Sequence, residues 1–566
     1  MTVVAIVDDI TIMGTLSALV TVEESRNNLQ KPANYLVNPA KQYVYTMNET
    51  HADEIRSALP NHKVIYVGNE HRFSLSGIPL GGDQYIISKL QENLDKTREV
   101  IANICKLKNV PENLILFLQC IPGRIQHLLS AVPIGLSRSF AQQHDEAISS
   151  AVAATLDLGE LNERDKLLMQ RKISKHGLGL RSMEKNLEFL FLAGFMRSIK
   201  SIKRTFPNLS GALNYTIQGE SGYGCQLADA LSTMHRLPST KLRNLLPDSI
   251  ADGLLEVQRE LDNLVVEAHD ALYDLNKIPD QQDKATLIST DTSIFQLIPK
   301  SKVLQIPNED LIYLAKQVFG KAQRRYIHKF CPNVARSTRS YCGATLDSRD
   351  LHLRTCKMNN VNHEKHEALK FWFKDFAKQA HISKTAAPSI SEVSPKNPTK
   401  QLAGDLMLVD VSFRQPGRDG KCGVIDFSII TPAAESYCAG AAKQPLHGED
   451  AKLLKYLQES IGDIHFEPFV VESGGQLGER AQEIFKKICN LITQTTGQSG
   501  SSIAYFWKSR LLVTLAKITY SNATRWAMAH NKSKDPDSAP IDLTDCYDDD
   551  TREVRRMIHS SGFEKS

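Results

Sequence analysis

The spacing of apolar residues changes along the chain and separates strand-like stretches from helical ones. Short β-rich runs predict strands at 3–13 near the N-terminus, and at 406–413, 424–430 and 466–472 in the C-terminal third. Between them, apolar residues recur mostly at helical spacing, which predicts a long helical region. In the first part of that region these residues are Ile87, Leu90, Leu94, Ile101 and Ile104. The pattern predicts a multidomain α+β protein.

The helical region contains recognisable interruptions. Pro122-Gly123 ends a helix predicted near 113–120, and the residues 176–180 form a turn before an apolar helix. This turn is not a phosphate loop, because it lacks the preceding strand and the glycine spacing that such loops require. Residues 385–400, rich in Pro, Ser and Thr, predict a linker.

Three further helices are predicted in the C-terminal part of the chain. The first, 367–382, has Leu369, Phe373 and Phe376 on one side. The others cover 480–492 and 507–528, and the last of them is expected to pack against the C-terminal sheet. Residues 200–320 are predicted to be mostly helical.

Length and net charge say little about which function the chain has. A chain of 566 residues is too long for one core, so about three to four domains are expected. The net charge of +4 does not by itself imply a nucleic-acid partner, although basic residues cluster at 197–206, 321–329 and 396–400. Ten dispersed cysteines indicate a reducing compartment. No apolar run approaches the roughly 20 residues of a membrane span, and no signal peptide is visible.

Two carboxylates lie between the first two strand-like runs. The sequence predicts a tight hairpin with Asp8 and Asp9 at its tip. Adjacent carboxylates suit Mg²⁺, which prefers oxygen ligands, but most Asp-Asp pairs are solvated turns.

The C-terminal strands carry a second set of acids. Asp405 opens one strand, Asp426 lies inside the next, and Glu472 ends a third. Side chains alternate along a strand, so Asp426 and Ser428 face the same way. Lys452 and Lys455 lie on a helix that begins near residue 447, within one turn of each other. Acids and lysines in this order are what a metal-dependent nuclease needs, and Asp410 is an alternative ligand to Asp405.

A short Cys/His segment precedes these strands. Cys342, His352, Cys356 and either His363 or His366 are residue types that bind zinc. Buried structural cysteines and a solvated histidine would give the same pattern.

The N-terminal segments resemble the end of a reverse-transcriptase palm. After the Asp-Asp hairpin come an Asn-Pro-x-Lys and a Gly-x-Pro-x-Gly segment in the order of that family. The matching residues are Asn38, Pro39, Lys41, Gly77, Pro79 and Gly81. The resemblance implies that Asp8 and Asp9 are polymerase-like metal ligands. Only seven residues precede Asp8, so we expect no polymerase activity from this chain alone, and the missing palm and fingers are expected upstream or in trans.

The order of all segments resembles non-long-terminal-repeat retrotransposon polyproteins that carry a restriction-like PD-(D/E)XK endonuclease. The resemblance implies a Mg²⁺ site at Asp405 and Asp426, lysine assistance from Lys452 or Lys455, and a metal or supporting role for Glu472. Gly404 replaces the family's proline and Ser428 its strand lysine. It also implies a CCHC zinc knuckle at Cys342, His352, Cys356 and His366, although the expected cysteine just before Cys342 is missing.

The resemblance gives a domain plan and a function. We expect a partial palm (1–82), a helical thumb and linker region (83–330), a knuckle-like segment (331–383), a linker (384–400), an α/β endonuclease domain (401–530) and a disordered tail (531–566). The expected function is Mg²⁺-dependent DNA nicking in the nucleus, with DNA and RNA as partners. The alternative is an inactive remnant that binds nucleic acid.

Overall fold

A computed structural model of the chain is mostly helical with small sheets, which agrees with the predicted α+β class. The structure describes residues 2–6, 9–33, 43–46, 48–66, 73–75, 77–205, 222–236, 280–298, 301–321, 361–382, 384–385, 406–410, 422–431, 449–450 and 465–532, with single residues at 267, 273, 275, 278, 342, 344, 345, 352 and 356. The tail 533–566 and most of the predicted linker 384–400 lie outside this description.

The N-terminal part begins with the predicted hairpin. Ile6 pairs with Asp9, so only Val7 and Asp8 lie between the two strands. A βαβ unit and a second hairpin follow, and Gly77 turns the second hairpin at φ +79°. The elements are β1 (Thr2–Ile6), β2 (Asp9–Met13), α1 (Leu16–Ala33), β3 (Tyr43–Thr46), α2 (Glu49–Ala58), β4 (Lys63–Tyr66), β5 (Phe73–Leu75) and β6 (Ile78–Leu80).

Helices dominate the next 160 residues. As predicted, a helix stops before Pro122, here by way of a π-helical turn at Leu116–Cys120. The Asn162 side chain accepts from the Asp165 amide and the Asp165 side chain accepts in return, which caps one helix start. The helices are α3 (Asp83–Cys105), α4 (Val110–Ile115), α5 (Gln126–Leu129), α6 (Ile134–Thr155), α7 (Glu163–Gln170), α8 (Leu187–Thr205) and α9 (Gly222–Arg236).

One detail of the predicted apolar stripe on α3 is wrong. Leu90, Leu94, Ile101 and Ile104 are buried, but Ile87 is 44% exposed and Ile86 is buried in its place. The apolar stripe of a helix advances by 3.6 residues per turn, so either isoleucine fits the spacing and only the packing chooses.

The C-terminal part holds the longest helices and the largest sheet. Its elements are α10 (Gln281–Ser289), α11 (Asn308–Val318), α12 (Val361–Gln379), β7 (Lys384–Thr385), β8 (Leu406–Asp410), β9 (Cys422–Ile430), β10 (His465–Glu472), α13 (Glu479–Thr496) and α14 (Gly500–Lys532). The sheet has the order β10-β9-β8-β7. Strands β7, β8 and β9 pair antiparallel, and β10 joins β9 in parallel. The predicted C-terminal strands and helices are therefore present.

The chain divides into two compact units. One consists of Met1–Ala102, Ile121–Ala147 and Ser182–His269, and the other of Asn103–Cys120, Ile148–Arg181 and Asp270–Ser566. Each unit gathers segments that are distant along the chain. Within the described residues, no helix is long and apolar enough to cross a membrane.

An aromatic core lies between the C-terminal sheet and its helices. Phe373 on α12 contacts Phe427 on β9 and Phe469 on β10, with ring centroids 5.1 and 5.2 Å apart. The Trp372 indole donates to the Trp507 carbonyl oxygen at 3.0 Å, so this buried tryptophan keeps a hydrogen bond.

Helix α14 makes its main contacts with helices. It packs against α12, α13 and α11, whereas the sequence predicted direct packing on the sheet. Trp507 and Leu511 join the aromatic core through these helices. Helices α12 and α13 already cover this face of the sheet, so α14 packs on the outside of these helices.

The turn after β10 joins the sheet to the segment after α10. The Asp291 amide donates to the Gly474 carbonyl oxygen at 2.9 Å, and Thr290 and Gly475 form a β-bridge. Gly475 has φ +94°, and a Cβ there would lie 2.1 Å from Leu512 Cδ2. A Cβ on Gly474 would lie 2.5 Å from the Ser289 carbonyl oxygen. The two glycines thus allow this turn to approach the Ser289 backbone and the Leu512 side chain closely.

Replacing Gly475 tests this close approach. Gly475→Ala combines a strained backbone with a clash against Leu512 and should lower the free energy of unfolding by about 3 kcal/mol. Gly497→Ala is the matched control, since Gly497 has φ +68° but nothing within 4 Å of its Cβ position. It should cost about 1 kcal/mol. Urea unfolding measures both, and equal losses would contradict the packing described.

Candidate functional site

Alternation along β9 places Asp426 away from the aromatic core. Ile425 and Phe427 belong to that core, and Asp426 between them faces the other side of the sheet. Asp426 is nevertheless only 6% exposed. Asp426 takes part in interactions with neighbouring groups, and a bound cation would further compensate its buried negative charge.

The pairing of β8 with β9 bears on which acid could bind a metal together with Asp426. Leu406 pairs with Asp426, and Asp410 pairs with Cys422. Asp405 itself lies outside the described residues, but it is the residue directly before Leu406 in the chain. The strand partner of the alternative acid, Asp410, therefore lies four residues before Asp426 on β9.

Ser428 shares the Asp426 face, as predicted. It pairs with Val470 on β10 and is half-buried. Lys452, Lys455 and Gly404 lie outside the described residues. Of the helix predicted to carry the lysines, the structure describes Glu449 and Asp450, and both are helical.

The structure does not bring Glu472 to Asp426. Glu472 pairs with Ile430, four residues farther along the strand than Asp426, which is about 13 Å at the rise of a parallel strand. Glu472 is 3% exposed, and its Oε2 has no hydrogen-bond partner among the residues that the structure describes. Burial raises the pKa of Glu472 to about 7. Its carboxyl is therefore a proton-holding group on the same face, separate from Asp426.

Glu449 has a structural position that the sequence did not reveal. Its carboxylate accepts from the Arg480 and Ala481 amides at 3.3 and 3.4 Å, at the start of α13. Burial raises the pKa of Glu449, although these two amides act in the opposite direction. A Cβ on Gly478 would lie 2.2 Å from Glu449 Oε1. The glycine before α13 was the sequence signal for this contact.

Three predicted zinc ligands come together. One ligand atom from each of Cys342, His352 and Cys356 lies within 4.8 Å of the others. Cys342 Sγ and His352 Nε2 are 3.3 Å apart. Two ligands of a tetrahedral zinc ion lie roughly 3.3–3.8 Å apart, so the donor types and the distance between Cys342 and His352 are compatible with zinc.

His366 does not join this cluster. Its Nε2 donates to the Phe427 carbonyl oxygen at 3.1 Å, so it links α12 to β9. Its Nδ1 lies 3.5 Å from the Glu367 carboxylate. Burial opposes ionisation of Glu367, but hydrogen bonds and charges from His366 and Lys370 lower the pKa of Glu367 to about 2. The side chain of His363, the other candidate, lies outside the described residues.

The N-terminal acids are only partly described. Asp9 begins β2 directly after the two-residue turn, which agrees with the predicted hairpin. Asp8 and the side chain of Asp9 lie outside the description.

A small polar cavity was missed by sequence reasoning. Asp291, Asp310, Lys365 and the Ser473-Gly474 turn line a space of about 30 Å³, which holds one or two waters. Lys508 Nζ lies 2.5 Å from Asp291 Oδ2, so the Asp291 charge is compensated. Five segments distant in sequence build this cavity, and the Gly474-Gly475 pair was a local sign of it.

Comparison with known proteins adds no relative. The sequence matches no protein-family model and no curated protein.

The raised pKa of Glu472 predicts a pH-dependent stability. Between pH 4.5 and 7 the folded state holds a proton that the unfolded state releases, so the free energy of unfolding falls as pH rises through this window. The loss is on the order of 3 kcal/mol by pH 8. Glu472→Gln removes the titration and should therefore stabilise the protein at pH 8 much more than at pH 5.

Urea unfolding at the two pH values measures this, with the exposed Glu483→Gln on α13 as control. If both variants shift stability equally at both pH values, the buried carboxyl of Glu472 is not the cause.

Proposed function

We propose that the chain is a retroelement-derived protein whose C-terminal part is a restriction-like endonuclease that nicks DNA with Mg²⁺. The buried Asp426 on the central strand β9 carries the proposal. In the resembled family the second metal-binding acid stands at this point of the sequence, and β8, the strand that follows Asp405 in the chain, pairs with β9 at Asp426.

The sheet and its helices support the finer fold assignment. An antiparallel set, β7-β8-β9, is extended by the parallel strand β10, and α12 and α13 cover one face. This arrangement fits the α/β endonuclease domain that the resemblance implies. Asp426 and Ser428 lie on the other face of β9.

Among the described residues, Asp426 is the proposed Mg²⁺ ligand. Magnesium is often held by one or two carboxylates, with waters and substrate phosphates completing its shell. Asp426 would hold it together with Asp405, while Glu472 is too far along the strand to share the ion. Bound Mg²⁺ would lower the pKa of a water and neutralise phosphate charge. Lys452 or Lys455 would place a positive charge beside the developing phosphorane.

Zinc would have a structural role. Cys342, His352 and Cys356 supply three ligands of suitable spacing. A zinc ion there would order the short segment before α12. The N-terminal unit would correspond to the remaining palm and thumb, with Asp8 and Asp9 in the polymerase-like metal position. DNA and RNA would be the partners and the nucleus the location.

A second candidate is an inactive remnant that binds nucleic acid. Two observations favour it: Ser428 stands where the family has its strand lysine, and the register separates Glu472 from Asp426. This candidate predicts salt-dependent binding without cleavage.

A nicking assay on supercoiled DNA distinguishes the two candidates. The wild-type protein should nick with Mg²⁺ and not in its absence. Asp426→Asn keeps the shape of the side chain but removes its charge, so it should lower the rate at least about 100-fold. Lys452→Ala should also slow nicking. Asp375→Asn, on the half-exposed outer side of α12, is the control and should cleave normally.

Equal nicking by wild type and Asp426→Asn would refute the assignment. Salt-dependent binding with no cleavage by any variant would instead establish the inactive remnant.

Metal analysis tests the Cys/His cluster. Dialysed protein should retain about one zinc per chain. Cys356→Ala should lose it, because a three-ligand set with one thiolate removed holds zinc weakly. Cys489→Ala, at an equally buried cysteine in the aromatic core, should keep it. Mass spectrometry of the metal content measures the ratio, and zinc-free wild-type protein would rule the site out.

A further inference from the structure

The N-terminal unit presents aromatic rings to solvent on one face of a two-stranded sheet. Tyr43 is 44% exposed and Tyr45 is 40% exposed, both on β3. We call the tyrosine platform the surface formed by Tyr43, Tyr45, Lys63 on β4 and Phe73 on β5. Scattered exposed aromatics are ordinary, but a contiguous row indicates an interaction surface.

The strand register explains why these side chains point outward. Tyr43 pairs with Lys63 and Tyr45 with Ile65, so these residues share a face. Helix α2 packs against both strands and buries Ala52 and Ile55, and it takes the opposite face. Tyr66 pairs with Thr46 and therefore lies on that opposite face, although it is 37% exposed.

The rings of the platform form a continuous row. Tyr43 and Tyr45 stack, with centroids 6.3 Å apart and planes at 24°. The centroid of Phe73 lies 5.2 Å from that of Tyr45. Burial, with smaller contributions from Tyr43 and Tyr85, raises the pKa of Tyr45, so the Tyr45 phenol stays uncharged at neutral pH.

A lysine lies beside the Tyr43 ring of the platform, and a second lysine lies beside Tyr85 on α3. Lys63 Nζ is 5.8 Å from the Tyr43 ring centroid, and Lys89 Nζ is 5.8 Å from that of Tyr85. Glu92 accepts hydrogen bonds from Lys89, which offsets its charge. Lys63 forms no ion pair with any residue that the structure describes.

We propose that the tyrosine platform binds single-stranded nucleic acid. Unpaired bases would stack on Tyr43 and Tyr45, and Lys63 would lie beside the phosphate backbone. Flat aromatic faces next to a lysine suit an unpaired base and its phosphate together. A duplex hides its base faces in its own stack, so it would gain only the contact with Lys63. An acidic or purely apolar partner would not use both features.

This inference goes beyond the proposed nuclease, because none of its residues belongs to the sheet that carries Asp426. Binding to the platform requires no Mg²⁺ and no cleavage. If the platform does not bind a single strand, the nicking result is unaffected. If the protein does not nick DNA, the platform proposal is unaffected.

Fluorescence anisotropy with a labelled 12-nucleotide single strand tests the proposal on the full chain in magnesium-free buffer. Tyr43→Leu with Tyr45→Leu should weaken binding at least about tenfold, since each stacked base gains roughly a factor of five or more from its aromatic partner. Lys63→Gln should weaken binding less and make it less sensitive to salt. Tyr66→Leu is the matched control and should bind as wild type does.

Three outcomes would overturn the proposal. These are unchanged affinity in the double variant, an equal loss in Tyr66→Leu, or equally tight binding of a blunt duplex of the same sequence. Ultraviolet crosslinking of a bromouracil-containing strand provides a second readout that does not depend on a variant's folding. The crosslinked peptide should contain Tyr43 and Tyr45, and a crosslink confined to other segments would contradict the proposal.

Discussion

The direct pairing of Phe427 with Phe469 determines which side chains lie on each face of the C-terminal sheet. Both rings pack against Phe373 on α12, which commits one face of β9 and β10 to the aromatic core. Because strand side chains alternate, Asp426 must then lie on the other face. A shift of one residue in β9 would place Asp426 among aromatic rings and move Phe427 to the opposite face, so the core and the candidate site depend on the same register.

The register also decides which acids act together. In sequence, Asp426 and Glu472 are two acids on neighbouring strands. In the sheet they are four residues apart, and Glu472 is buried without a partner for Oε2 among the described residues and has a raised pKa. The face therefore separates a candidate metal ligand from a carboxyl that is neutral in mildly acidic conditions.

Much of the architecture follows from local patterns. The hairpin at Asp9, the strands β8 to β10 and the apolar side of α12 were predictable, because period and turn chemistry act over a few residues. The choice of Ile86 over Ile87 was not, since both fit a helical stripe.

The other features that the sequence did not predict depend on contacts between residues far apart in the chain. The Glu449 carboxylate caps a helix that begins 30 residues later, and the Gly474 carbonyl accepts from the Asp291 amide more than 180 residues earlier in the chain. No local pattern encodes such partners. The exposure of Tyr43 and Tyr45 has the same origin, because only the packing of α2 on one face reveals which side remains open. Likewise, Cys342, His352 and Cys356 were identifiable from residue type, but the exclusion of His366 depended on its bond to Phe427.

Anomalous X-ray scattering from Mn²⁺-soaked crystals of the protein with a DNA duplex tests the central claim most directly. Manganese prefers the same oxygen ligands as magnesium and is visible in the anomalous signal. The account predicts a peak about 2.2 Å from an Asp426 carboxylate oxygen, on the sheet face opposite the aromatic core. A peak only at Glu472, or no manganese on this face, would contradict it.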